Sequence, residues 1–128
     1  MAVTHIEAVR NGIADHVVDQ IDAGVSVGNL VIRAAGSAAG PGTAIATLPC
    51  SATAFGAASS GIASSNAFTS DSSAVGGTAA TATFEDSSAN VVTHCAVAAS
   101  GSDINLSSVT ISAGDSVTMG TVTYTAPL

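Results

Sequence analysis

Gly24-Val25-Ser26-Val27-Gly28 matches the Gly-x-Ser-x-Gly signature of serine hydrolases, and His94 with Asp103 or Asp71 is the combination that would serve such a nucleophile. That chemistry needs the serine on a strained turn leading from a strand into a helix. Here a helical pattern precedes the motif and a strand pattern follows it, the reverse order. In a chain this rich in Gly and Ser the match is read as chance, and His94, Asp103 and Asp71 do not stand out among the polar loop residues. No catalytic residue is assigned, and the expectation is that the chain is not an enzyme.

His94 and Cys95 are adjacent and invite a metal reading. On a strand, however, successive side chains point to opposite faces, so the two cannot chelate one ion. His5 and His16 fall on one side of a helix but about 16 Å apart along its axis, too far to share a metal. Asp103-Ile104-Asn105 is too short for a calcium loop. There is no phosphate loop, dinucleotide fingerprint, Cys-x-x-Cys pair or basic aromatic patch, so no cofactor and no metal are expected.

The only cations besides histidine are Arg10 and Arg33. Their scarcity removes the usual handles for phosphate, nucleic acid and carboxylate substrates, and no nucleic-acid or small-molecule partner is expected. Arg33 should pair with an acidic residue, within the fold or across an interface. Asp15, Asp19 and Asp22 are read as a solvated acidic face of a helix. The sharper reading places that face, or Arg10 within it, against a neighbouring subunit.

These residues must be positioned by one N-terminal helix and a long β-rich remainder. Over residues 4–23, Ile6, Val9, Ile13, Val17 and Ile21, joined by Val18, recur at spacings of three and four and predict an amphipathic helix. Thr4 and Glu7 form a capping-box pattern at its start, and Gly24 suits its end. Gly12 in the middle costs about 1 kcal/mol relative to Ala, so docking has to sustain the helix. Strands are expected at 29–34, 44–48, 61–68, 77–84, 90–98, 104–111 and 116–125, with a polar turn at Glu85-Asp86-Ser87-Ser88 making a hairpin. The clearest alternation is in 116–125, where Val117, Met119, Thr121, Thr123 and Thr125 would share a face. Short strands at this spacing predict a mainly β fold, an antiparallel, jelly-roll-like β-sandwich with one N-terminal amphipathic helix.

Seventy-one of the 128 residues are Ala, Gly, Ser or Thr, and only 29 are Val, Ile, Leu or Phe, a thin core for one domain. The domain is expected to span 1–128, with the helix in 1–24 and the sandwich in 29–128. A net charge of −7, spread along the chain, gives an acidic surface. Nothing in the sequence has the pattern of a signal peptide or a membrane span, so synthesis in a cytosol and no membrane partner are expected. Cys50 and Cys95 are read as small buried thiols. Such a palette suits a surface made to be packed against.

Taken together, Arg10-Asn11, Val18-Asp19-Gln20-Ile21-Asp22-Ala23-Gly24, Leu30-Val31-Ile32-Arg33, Ala46-Thr47-Leu48, Ala54-Phe55-Gly56-Ala57-Ala58 and Gly101-Ser102-Asp103-Ile104-Asn105-Leu106 give the chain a likeness. It resembles small tailed-phage virion proteins of the capsid decoration, or cement, kind. The likeness continues through Ala113-Gly114-Asp115-Ser116-Val117 and from Thr121 to Pro127. Relatives would carry a longer aromatic element where Ala80-Thr81-Ala82-Thr83-Phe84 stands here. The resemblance implies a β-sandwich on the outer surface of the capsid in many copies, often as homotrimers, bound to the major capsid protein lattice. Candidate interface residues are Ile6, Val9, Arg10, Ile13, Val17, Ile21, Arg33 and Phe55, followed by the Thr-rich face of 116–125 and the Ala/Ser segment 52–67. A tail- or neck-associated structural protein is the first alternative. A surface-binding β-protein of the adhesin or ice-binding type is the second, although it needs a repeated Thr-x-Thr ladder and Thr121-x-Thr123-x-Thr125 occurs once.

Overall fold

The computed structural model describes residues 3–128. Helix α1 covers Glu7–Asp19 and tightens into one 3-10 turn, Gln20–Asp22. Nine strands follow: β1 Asn29–Arg33, β2 Ala44–Pro49, β3 Ile62–Ser64, β4 Gly77–Thr78, β5 Thr81–Glu85, β6 Val91–Ala98, β7 Ile104–Asn105, β8 Thr110–Ile111 and β9 Thr123–Thr125. The protein is thus mostly β with one N-terminal helix, as the sequence predicts.

The main sheet has the order β2-β1-β5-β6-β7, and its last pair, β6 with β7, is parallel. It is therefore mixed, not antiparallel, and it curls into a half-barrel where a sandwich layer was expected. Two bulges contribute to the curl, one where Ile45 is the extra residue opposite Ile32 and Arg33, the other where Val92 is extra opposite Phe84 and Glu85. The pairs β3–β9 and β4–β8 form separate two-stranded ladders. The outer edge of β2 is closed by residues 71–75: the Asp71 carboxylate accepts from the Thr47 amide at 2.9 Å, and Val75 N–H donates to the Ile45 carbonyl at 2.8 Å.

One face of the main sheet supplies the core. Leu30 and Ile32 of β1, Ala46 and Leu48 of β2, Ala82 and Phe84 of β5 and Val97 of β6 alternate onto it and are buried. Phe84 meets Phe55 edge to face, with ring centroids 5.4 Å apart. Ala14, Val18 and Ile21 bring the helix into the same cluster, so α1 docks on its own chain. Gly28 lets the chain turn from helix to β1, since a Cβ there would lie 2.5 Å from the Glu85 carbonyl oxygen and collide with Ile21.

Several local expectations fail for identifiable reasons. The Thr4–Glu7 capping box does not form: Ile6 holds the N-cap position with φ −65° and ψ 159°, without a side-chain cap, and the Glu7 carboxylate accepts from the Ser60 amide instead. Gly24 is not a left-handed helix stop; its lack of a Cβ makes room for Ser87 of the β5–β6 turn. The strand expected at 61–68 shortens to β3, 77–84 divides into β4 and β5, and 104–111 divides into β7 and β8. The strand expected at 116–125 is reduced to β9, with Val117 making a lone bridge to Asp71.

Candidate functional site

The residues that suggested chemistry are dispersed. Ser26 lies on an exposed bend after the helix, where its amide donates to Ser87 Oγ at 3.3 Å, and β1 follows it. Asp71 serves the β2 edge, and Asp103 accepts from the Ala96 amide at 2.9 Å. His94 and Cys95 occupy alternate positions on β6, His94 opposite Thr83 and Cys95 opposite Ala82, hence on opposite faces. Among the described residues no group of three or more His, Cys, Asp or Glu is arranged to hold a metal.

Arg33 finds its partner inside the fold. On the sheet face opposite the core it forms an ion pair with Glu85, donates from Nε to Thr83 Oγ1 at 3.0 Å and from Nη1 to the Gly42 carbonyl at 2.8 Å. The Thr83 hydroxyl also donates to the Glu85 carboxylate. The register explains this grouping, because Asn29 opposes Glu85 and Val31 opposes Thr83, which turns Arg33 and both partners to one side. Phe55 and Ile21, two other interface candidates, are 4% and 1% exposed and belong to the core.

The helix docks in a manner the sequence did not announce. Four polar side chains, three of them a turn apart at Glu7, Asn11 and Asp15, accept from the backbone of residues 54–61: Asp22 from Ala54, Asp15 from Ala58 at 2.7 Å, Glu7 from Ser60 and Asn11 from Gly61 at 2.7 Å. Asp15 and Asp22 are therefore internal acceptors and not part of a solvated acidic face, which keeps only Asp19. Arg10 lies over Gly61, a residue with φ +75° and space for no side chain. The Ala/Ser segment thus finds its docking partner in the chain's own helix.

At about 100° per residue, the face bearing Ala14, Val18 and these acceptors is rotated by about 130° from the centre of the apolar stripe. Ile6 and Val9 of that stripe are consequently 73% and 45% exposed, while Ile13 and Val17 are half-buried. Val3 is exposed as well, and His5 Nδ1 lies 3.0 Å from the Leu128 carbonyl oxygen.

The stripe leads at Val17 into an open groove of about 370 Å³. Val18, Ile21, Phe55 and Phe84 give it an apolar floor, and β6 and β9 form its two rims. β9 is a strand edge, and β6 is one up to Cys95, before the Ala96 amide is taken by Asp103 and Val97 and Ala98 pair with β7. Val97 N–H donates to Ala80 O, so in this antiparallel pair Thr93, Cys95 and Val97 bond to β5 while His94 and Ala96 turn their backbone groups outward. Across the groove, Ser65 N–H donates to Val122 O and Ala126 N–H to Gly61 O, so Thr123 and Thr125 likewise face away from β3. Asp103 is the one carboxylate in the lining. No sequence signal ties β6 to β9, because the groove arises from the curl of the sheet.

Burial raises both thiols. Cys50, near the Asp22 carboxylate, and Cys95, near that of Asp103, are each pushed up to about 11.

Compared with known proteins, the chain matches no family model, no curated protein and no solved structure.

Proposed function

We propose that the protein is a virion structural protein of the capsid decoration kind, which binds the major capsid protein lattice in many copies and stabilises a phage head. The observation that carries this reading is the helix: polar acceptors hold it to its own fold, and its apolar stripe at Ile6 and Val9 is left facing outward. Burying apolar surface is what a cement protein contributes, and weak contacts gain strength when several copies engage at once. The dispersed serine, histidines and carboxylates fit the same role, as does the acidic surface. In this reading the β3–β9 and β4–β8 ladders belong to a second layer facing the main sheet, a sandwich built of short pieces.

The test is recovery in purified particles at a copy number comparable with the shell protein, together with loss of heat or osmotic resistance when the protein is missing. A few copies per particle would place it at the tail or neck instead. Absence from particles would overturn the reading.

A further inference from the structure

We propose that the groove between β6 and β9 receives the extended N-terminal segment, residues 3–6, of a second copy of this chain, which adds a strand between the two rims. Three features select a strand as the occupant. Outward backbone groups of His94 on one rim and of Thr123 and Thr125 on the other are matched by the alternating donors and acceptors of an extended chain. The apolar floor of Val18, Ile21, Phe55 and Phe84 takes side chains from one face of such a strand. β7 pairs only with Val97 and Ala98, so the first half of β6 carries no strand on this side and an added strand extends the sheet there.

The choice of segment also rests on the molecule. Val3-Thr4-His5-Ile6 lies outside any helix or strand, each of its residues is exposed, and Ile6 already has extended backbone angles. Its β-branched residues suit a strand. It carries no carboxylate, unlike much of this acidic chain, and it brings His5 toward Asp103, the one charged side chain in the groove. Thr4 and Ile6 share a face and would turn to the floor, leaving His5 at the rim. The segment leaves the far end of α1 from Val17, Val18 and Ile21, a helix length of about 15 Å, while four extended residues span about 13 Å. Reversing onto its own groove would need more chain, so a second copy is the occupant. The contact surrendered is exposed, the one between His5 and the Leu128 carbonyl.

This mode of self-association takes from the proposed function only the expectation that copies join, and it is tested on the isolated protein, so its failure leaves particle binding to be judged separately. Sedimentation of the purified full chain over a concentration series should show reversible association. Ile6→Asp, at an exposed position that leaves the fold intact by circular dichroism, should weaken it by about ten- to a hundred-fold. When copies carrying His5→Cys are mixed with copies carrying Thr123→Cys under oxidising conditions, a disulfide joining positions 5 and 123, both on the outward face, should form. His5→Cys with Ser70→Cys serves as the remote control. A monomeric mass throughout, association indifferent to Ile6→Asp, or cross-linking to position 123 no better than to position 70 would each overturn the proposal.

Discussion

Asp15 and Ala58, 43 residues apart in sequence, are joined by a 2.7 Å hydrogen bond from the Ala58 amide to the Asp15 carboxylate. With the bonds from Asn11 and Asp22 it does for the helix what a strand ladder does for a sheet. Asp15→Ala leaves the half-buried Ala58 amide without a partner and should cost about 1–3 kcal/mol in urea unfolding, with an unchanged m-value. Asp15→Asn retains an oxygen acceptor and should lose less than half as much. Equal losses for the two variants would assign the effect to the negative charge and not to the hydrogen bond.

The Arg33–Glu85 pair predicts a non-additive double-mutant cycle. Arg33→Met alone strands a carboxylate that is 6% exposed in the folded protein, and Glu85→Leu alone strands the guanidinium. Each single change should destabilise by about 3 kcal/mol, and the double variant should recover most of the loss. Additive losses would mean that the two side chains contribute independently.

Acid should loosen the β2 edge through Asp71. Backbone amides of Thr47 and then Ser73 hold its carboxyl below 3.8. A depressed folded value means the contribution is complete above the unfolded value and disappears as pH falls through the folded one. Because Asp71 is only partly buried and its carboxylate is screened by water, the effect should stay under about 1 kcal/mol. Asp71→Asn should therefore flatten the stability profile slightly between about pH 5 and 2. An unchanged profile would show that the anchor is not charge-dependent.

Both thiols should resist alkylation in the native state. With values of about 11 for Cys50 and Cys95, roughly one thiol in a thousand is ionised at pH 8. Modification by iodoacetamide, followed by mass spectrometry, should be slow in buffer and rapid in denaturant. Cys50 is buried as the sequence suggests, but Cys95 is only half-buried in the groove wall, so fast native labelling would contradict the burial of Cys50 or the raised value of Cys95.

The helix, β1, β2 and the β5–β6 hairpin were legible in the sequence because each couples one period to apolar residues large enough to define a face. The segment 116–125 shows what defeats that reading. Val117 and Met119 share one phase of alternation, while Val122, Tyr124 and Ala126 share the other, so the inward phase switches around Gly120-Thr121. One regular strand cannot bury both sets, and only Thr123–Thr125 remains in a ladder. Threonine disguised the switch, since it fits either face.

The helix stripe misled for a related reason. Counting Ile6, Val9, Ile13, Val17 and Ile21 locates the apolar side, but tertiary acceptors at Glu7, Asn11, Asp15 and Asp22 set the side that docks. Those acceptors serve amides 32 to 53 residues away, a distance no local pattern reports. The groove was invisible for the same reason: its rims are 25 to 34 residues apart in the chain and are brought together by curvature.

The seating of the helix also sets a timetable for biosynthesis. A 13-residue helix containing Gly12 is marginal by itself, and its acceptors wait for amides at 54–61, while β1 waits for β5 at 81–85. The helix is thus fixed only after the segment it docks on has also emerged, and a stalled nascent chain ending before about residue 60 should leave it open to protease.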